Sequence, residues 1–111
     1  MNEESKNMDD DLKHALDSFE SEDYKEAVRL YRLTAEQGLA AAQYNLGLMY
    51  AKGVGVTQDS LLANMWFNLS GASGNKYAER SRNKLENKMT KEKMLQAQEM
   101  ARNWYQQQLL S

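Results

Sequence analysis

The stretch whose reading decides the fold is residues 50–59, "YAKGVGVTQD". Two glycines, Gly53 and Gly55, stand one residue apart between two segments of helical character. Such a pair has two readings: part of a phosphate-cradling loop, or a turn that folds one helix back on another. A dinucleotide fingerprint needs a strand before the glycines and a third glycine where the next helix opens. Here a helical pattern precedes, and Gln58 stands where the third glycine would fall. The Gly-Lys-Ser/Thr of a P-loop is absent too. The turn reading is the better one. Gly53 is expected to end a helix at positive φ, Gly55 to let the chain reverse, and Val56 to pack beneath the loop.

Working outward, the flanks are helical. The chain has no proline and is rich in Ala, Leu, Gln, Lys, Glu and Met, all good helix formers. No segment alternates apolar and polar residues as a strand does. Residues 1–8 are polar and are expected to be a flexible N-terminus. From Asp9, Leu12, Ala15, Leu16 and Phe19 share one helical face. Asp23 and Glu26 form a capping-box pattern ahead of a second helix that carries Ala27, Leu30, Tyr31, Thr34 and Ala35 and stops at Gly38. A third helix runs from about Ala40 to Lys52, driven by Ala42, Tyr44, Asn45, Leu46, Met49 and Tyr50. Asp59 caps a fourth, bearing Leu62, Ala63, Trp66, Phe67 and Leu69, which ends in "GASGN". A fifth is expected from Lys76 to Met89, and Thr90 caps a sixth from Lys91 to about Gln108.

The helices repeat. Asp23 and Asp59 lie 36 positions apart, and so do Ala27 and Ala63, Leu30 and Trp66, Tyr31 and Phe67, Gly38 and Gly74. A period in this range signals stacked helical hairpins. Each hairpin alone leaves an apolar face exposed, and stacking buries it.

Residues 35–74, "AEQGLAAAQYNLGLMYAKGVGVTQDSLLANMWFNLSGASG", closely resemble the Sel-one-like repeat (SLR), a relative of the tetratricopeptide repeat. The resemblance rests on Ala42, Gln43, Leu46, Gly47, Tyr50, Gly53, Gly55, Val56, Asp59, Ala63, Trp66, Ala72 and Gly74. Residues 17–38 resemble a shorter first repeat, without the glycine loop and with Glu22 where a glycine is usual. Residues 78–104 resemble a closing helix pair. The resemblance implies an all-α chain: a short right-handed α-solenoid of about three antiparallel helix pairs, TPR-like, in one domain over 9–108. Its units would be 9–38, 39–74 and 75–108. It also implies a non-catalytic protein-interaction module or adaptor.

Composition agrees with such a module. At 111 residues and a net charge of −2, the chain is one domain, with no general attraction to nucleic acid or membrane. No cysteine is present, which removes disulfides, thiolate metal sites and thiol nucleophiles. The cysteine-rich branch of the family linked to β-lactam binding is therefore not the one resembled. The N-terminus has no basic, then apolar, signal pattern, so the expected location is cytoplasmic, or periplasmic if a signal has been removed.

Candidates for chemistry are few. His14 is the only histidine, and no second ligand stands at metal spacing beside it. Residues 9–11, "DDD", suit the first turn of a helix by its dipole as well as they suit a cation. No serine stands in a nucleophile elbow. No catalytic residue, cofactor or metal is expected. Met89, Met94, Met100 and Trp104 read as terminal core, with an adaptable binding surface as the alternative. Leu109 and Leu110 are harder to bury: a contact or a loose tail.

Charge is unevenly spread. Residues 1–23 carry a net −7, residues 24–75 a net +1 and residues 76–111 a net +4. This is a solvated pair of end caps, a basic end that steers an acidic partner, or a basis for homo-oligomers through head-to-tail association. In hairpin solenoids the first helix of each pair lines the concave face. On the third helix the side chains not spent on packing are Tyr44, Asn45 and Leu48. The 36-residue offset carries them to Arg80, Ser81 and Lys84. Tyr44, Asn45, Leu48, Arg80 and Lys84 are the expected partner-binding residues, suited to a protein or an extended, acidic peptide.

Overall fold

In the computed structural model, residues 3–110 are described. They form six helices: α1 (Glu3–Glu20), α2 (Tyr24–Glu36), α3 (Ala40–Lys52), α4 (Ser60–Ala72), α5 (Lys76–Glu86) and α6 (Lys91–Leu110). No strand occurs among the described residues.

The caps fall where side-chain chemistry puts them. The Asp59 carboxylate accepts the Leu62 N–H at 3.1 Å, the Asn75 side chain accepts from Tyr77 and Ala78, and the Thr90 hydroxyl accepts from Lys93 at 3.2 Å. Each satisfies donors that the first helical turn leaves without partners. At α2 the capping box is half formed. Asp23 accepts from Glu26 N–H at 3.5 Å, but the Glu26 carboxylate turns to Arg29 instead, at 2.6 and 2.9 Å.

Three boundaries differ from the sequence expectation. Helical geometry begins at Glu3 rather than Asp9, in a segment of Glu, Lys and Met that favours helix. Helix α5 ends at Glu86 rather than Met89. There Lys88 N–H bonds the Leu85 carbonyl and Met89 N–H the Glu86 carbonyl, a three-residue spacing that tightens the chain out of α-geometry. At the other end of the chain, α6 continues past Gln108 to Leu110.

The helices stack in two layers. Helix α2 packs on α1 and α3, and α4 packs on α3, α5 and α6. The short dimension of 22 Å matches two helix diameters of about 10–12 Å. One layer holds α1, α3 and α5; the other holds α2, α4 and α6. Small residues let the layers approach. A Cβ on Gly47 would lie 2.7 Å from the Phe67 ring, so the α3–α4 seam closes only with glycine there. Ala27, Ala42, Ala63, Leu46, Phe67 and Leu69 are fully or almost fully buried around these seams. Each large side chain among them contributes about 1.5–3 kcal/mol by leaving water.

The loop behaves as a turn. Gly53 and Gly55 have φ of +71° and +75°, and Val54 and Val56 pack against the core from it. A Cβ on Gly55 would sit 2.5 Å from the Tyr24 carbonyl oxygen, because the loop lies directly on the first turn of α2.

Candidate partner-binding groove

Helix α1 packs on α2 but not closely on α3. A groove of about 240 Å³ opens there. Leu16 and Phe19 of α1 form one wall; Asn45, Leu48, Met49 and Lys52 of α3 form the other; Tyr31 and Val54 complete the lining. Leu16 and Phe19 belong to the shared apolar face expected on the first helix. The structure leaves them 46% and 42% exposed. Helix α1 packs chiefly on α2; Ala15 is fully buried, while Leu16 and Phe19, farther along its apolar stripe, face the groove.

The polar groups of the groove can all donate hydrogen bonds, and Tyr31 and Asn45 can also accept them. Tyr31 is 2% exposed, and its hydroxyl makes no hydrogen bond among the described residues. Burial, and next the charge of Glu20, raise its pKa above the usual tyrosine value, so it is a neutral O–H donor at physiological pH. Lys52 is exposed and forms no ion pair among the described residues. Asn45 adds a side-chain amide that makes no hydrogen bond among the described residues.

The structure places the five expected binding residues in different settings. Asn45 and Leu48 line the groove. Tyr44, on the same helix, faces α5 instead. Its ring packs on Phe67 at 6.0 Å and Tyr77 at 6.4 Å, and its hydroxyl receives a 3.4 Å hydrogen bond from Ser81. It is therefore largely spent on packing. Arg80 sits with Lys76, Glu79 and Asn83 around an open, shallow depression on α5. Lys84 is exposed on the same helix. The sequence reading missed Leu16, Phe19, Tyr31, Met49, Lys52 and Val54 as lining residues.

The remaining candidates are dispersed. His14 lies exposed on α1, away from the groove lining. No group of three or more His, Cys, Asp or Glu side chains suited to a metal occurs among the described residues. Met100 and Trp104 pack against the core, and the Met89 sulfur receives the Asn64 amide at 3.6 Å. That amide belongs to a polar seam between α4 and α5. Asn64, fully buried, donates to Glu86 at 2.9 Å and accepts from Asn68 at 2.6 Å. Arg82 donates to Asn68 at 3.3 Å. No described helix is long and apolar enough to cross a membrane.

Comparison with known proteins agrees with this geometry. The Sel1 repeat model matches residues 18–39 and 40–75, together more than half of the chain. The chain belongs to the Sel1 repeat family. A crystal structure of c5321, a protective antigen of uropathogenic Escherichia coli strains displaying an SLR fold, superposes with a TM-score of 0.72 at 33% identity. The match covers 75% of this chain and 18% of that one, so the chain spans less than a fifth of the antigen's length. No curated protein is significantly similar. Sel1 repeats are generally protein-interaction modules. The groove straddles the two matched repeats: Phe19 and Tyr31 belong to the first, and Asn45, Leu48, Met49, Lys52 and Val54 to the second. Helices α5 and α6 lie beyond both.

Proposed function

We propose that this Sel1 repeat protein is a non-catalytic interaction module that binds a protein or peptide through the face formed by α1, α3 and α5. The anchor site is the groove between α1 and α3, and the exposed Arg80 and Lys84 of α5 favour an acidic partner. The observation that carries this reading is the groove itself: apolar walls left half open to water, with hydrogen-bond donors at their floor and rim. Its volume of about 240 Å³ lies below the roughly 300–1,000 Å³ of small-molecule sites, which suits a side-chain anchor better than a cofactor.

The test is selection of peptides from a displayed library, followed by affinity measurement on variants. Selected peptides are expected to combine a large apolar residue with acidic ones. Leu48→Glu is expected to weaken them about thirtyfold, the effect of losing one anchor contact. The double change Arg80→Glu/Lys84→Glu is expected to slow association and flatten its salt dependence. Binding that is indifferent to Leu48→Glu would sink the groove as the site.

The second reading is a structural or regulatory protein that self-associates through oppositely charged ends. Its support is the net −7 over residues 1–23 against +4 over residues 76–111.

A further inference from the structure

One aromatic side chain on the face formed by α1, α3 and α5 stands largely uncovered. Tyr77, in the first turn of α5, is 65% exposed, more than Leu16 or Phe19 on the groove wall. Its ring leans on Tyr44 of α3, with centroids 6.4 Å apart, so it stands on the α3 side of α5. Arg80 and Lys84 follow it at three and seven positions, on the same helical face. Both are exposed and form no ion pair among the described residues. A large ring with a polar tip, flanked by cations, is the composition of an interface anchor.

The groove in the same face answers each of these features. Its volume of about 240 Å³ is the size of a side-chain site rather than a ligand cavity. Leu16, Phe19, Leu48 and Met49 offer apolar walls to a ring. The Tyr31 hydroxyl and the Asn45 amide can each donate and accept, as a phenol hydroxyl does. The α1 wall carries charge opposite to that of α5. Residues 8–20 hold five acidic residues and one lysine. Asp9 and Glu20 lie seven before and four after Leu16, on its side of the helix, with Lys13 between them. On α5, Arg82 and Glu86 belong to the seam with α4, which leaves Lys76, Arg80 and Lys84 against Glu79. Within one copy the groove opens on the α1 side of α3, whereas Tyr77 stands on its α5 side. A Tyr77 ring that fills the groove therefore comes from another molecule.

We propose that two copies of the chain pair face to face, the Tyr77 ring of each filling the groove between α1 and α3 of the other. A projection and a recess on one face satisfy each other twice about a two-fold axis, which here runs over α3. The same axis sets α1 of each copy against α5 of the other, so Asp9 and Glu20 oppose Arg80 and Lys84 on both sides. This rests on the groove being a docking site, as argued above, and names its occupant. The acidic partner of Arg80 and Lys84 is then α1 of the second copy.

Sedimentation velocity of the full chain, across a concentration series at low and high salt, tests it. Wild type is expected to form a dimer and nothing larger, more weakly at high salt. Tyr77→Ala removes an exposed ring and supplies a better helix former, so the fold is kept. Each insertion lost is expected to weaken pairing about thirtyfold. This variant loses two, about a thousandfold in all. Leu16→Glu, on the groove wall, is expected to match it, with circular dichroism confirming that it folds. An equimolar mixture of the two variants retains one intact insertion, Tyr77 of the Leu16→Glu copy in the groove of the Tyr77→Ala copy. It is expected to pair about thirtyfold less tightly than wild type and far more tightly than either variant alone. A wild type that stays monomeric at millimolar concentration and low salt overturns the proposal. So does a Tyr77→Ala variant that pairs like wild type, a mixture that pairs no better than its components, or growth beyond the dimer. If the wild type is monomeric while selected peptides still bind and lose affinity with Leu48→Glu, self-pairing fails and the interaction-module reading stands. If those peptides are also indifferent to Leu48→Glu, both fail.

Discussion

Helices α3 and α4 close on each other; α5 and α6 do not. The first pair meets along a seam of small residues, with Gly47 under the Phe67 ring and Ala63 beside it. The last pair is joined by a shorter turn, residues 87–90 against 53–59, yet its members pack separately on α4. Helix α6 does so through Ala97, Ala101 and an edge-to-face contact of Trp104 with Trp66 at 5.9 Å. Helix α5 does so through Ala78 and the polar seam of Asn64, Asn68, Arg82 and Glu86. The same architecture is thus held by two kinds of contact. The central hairpin is an apolar, close-packed unit, and the terminal helices are clamped individually to its outer member.

This contrast has measurable consequences. Phe67→Ala is expected to cost about 3–5 kcal/mol and to lower the urea midpoint of the whole domain, because the ring fills the central seam. Trp104→Ala is expected to cost less, about 2–3 kcal/mol, since the side chain is only partly buried. Its effect should be local, with faster hydrogen exchange along α6 and unchanged protection in α3. Equal loss of protection in both helices would show that α6 and the hairpin unfold as one unit. Glu86→Ala removes the acceptor of the buried Asn64 amide and the nearest charge to Arg82, whose Nε is 3.9 Å from it and otherwise unpartnered. A loss of about 1–3 kcal/mol is expected, read as a lower denaturation midpoint.

The smallest effect lies outside both regions. Arg29 hydrogen-bonds Glu26 and, more weakly, lowers its pKa by charge. A depressed folded pKa contributes stability above the unfolded value, and the contribution disappears as pH falls through the folded one. The pair is solvent-exposed, so Arg29→Gln is expected to raise the Glu26 pKa in an NMR titration while the neutral-pH melting temperature barely moves.

The central hairpin was legible because its signals are local. Glycines at positive φ, Asp59 at a cap and a 36-residue recurrence all stand in the sequence without reference to a partner element. Glu22 illustrates the rule from the other side: it stands where a glycine is usual and takes a φ of +63°. Within that hairpin, the full extent of burial on α4 was less legible. Helix α4 buries Asn64, Met65 and Ser70 as well as the expected Ala63, Trp66, Phe67 and Leu69, because it is covered by α3, α5 and α6. A helix buried on several sides has no single apolar stripe to read. The groove was half legible. Repeat arithmetic reached Asn45 and Leu48, but periodicity placed Leu16 and Phe19 only on a shared apolar face of α1, not in a groove. An apolar stripe shows which residues avoid water in principle, not whether a neighbour is there to cover them. Tyr44 met the converse difficulty, since its commitment to Tyr77 and Ser81 depends on where α5 lies.

The seating of the glycine loop on α2 also bears on how the domain comes apart. Gly55 belongs to the second hairpin but lies against the Tyr24 carbonyl and Val28 of the first, so the loop acts as a pawl between successive units. In a linear array, cooperativity is set by the coupling between neighbours as much as by the strength of each. With this contact intact, rotation of the first hairpin about the second is blocked, and the groove walls carried by α1 and α3 keep a fixed separation. Loss of the contact would turn one folding unit into two that melt in sequence.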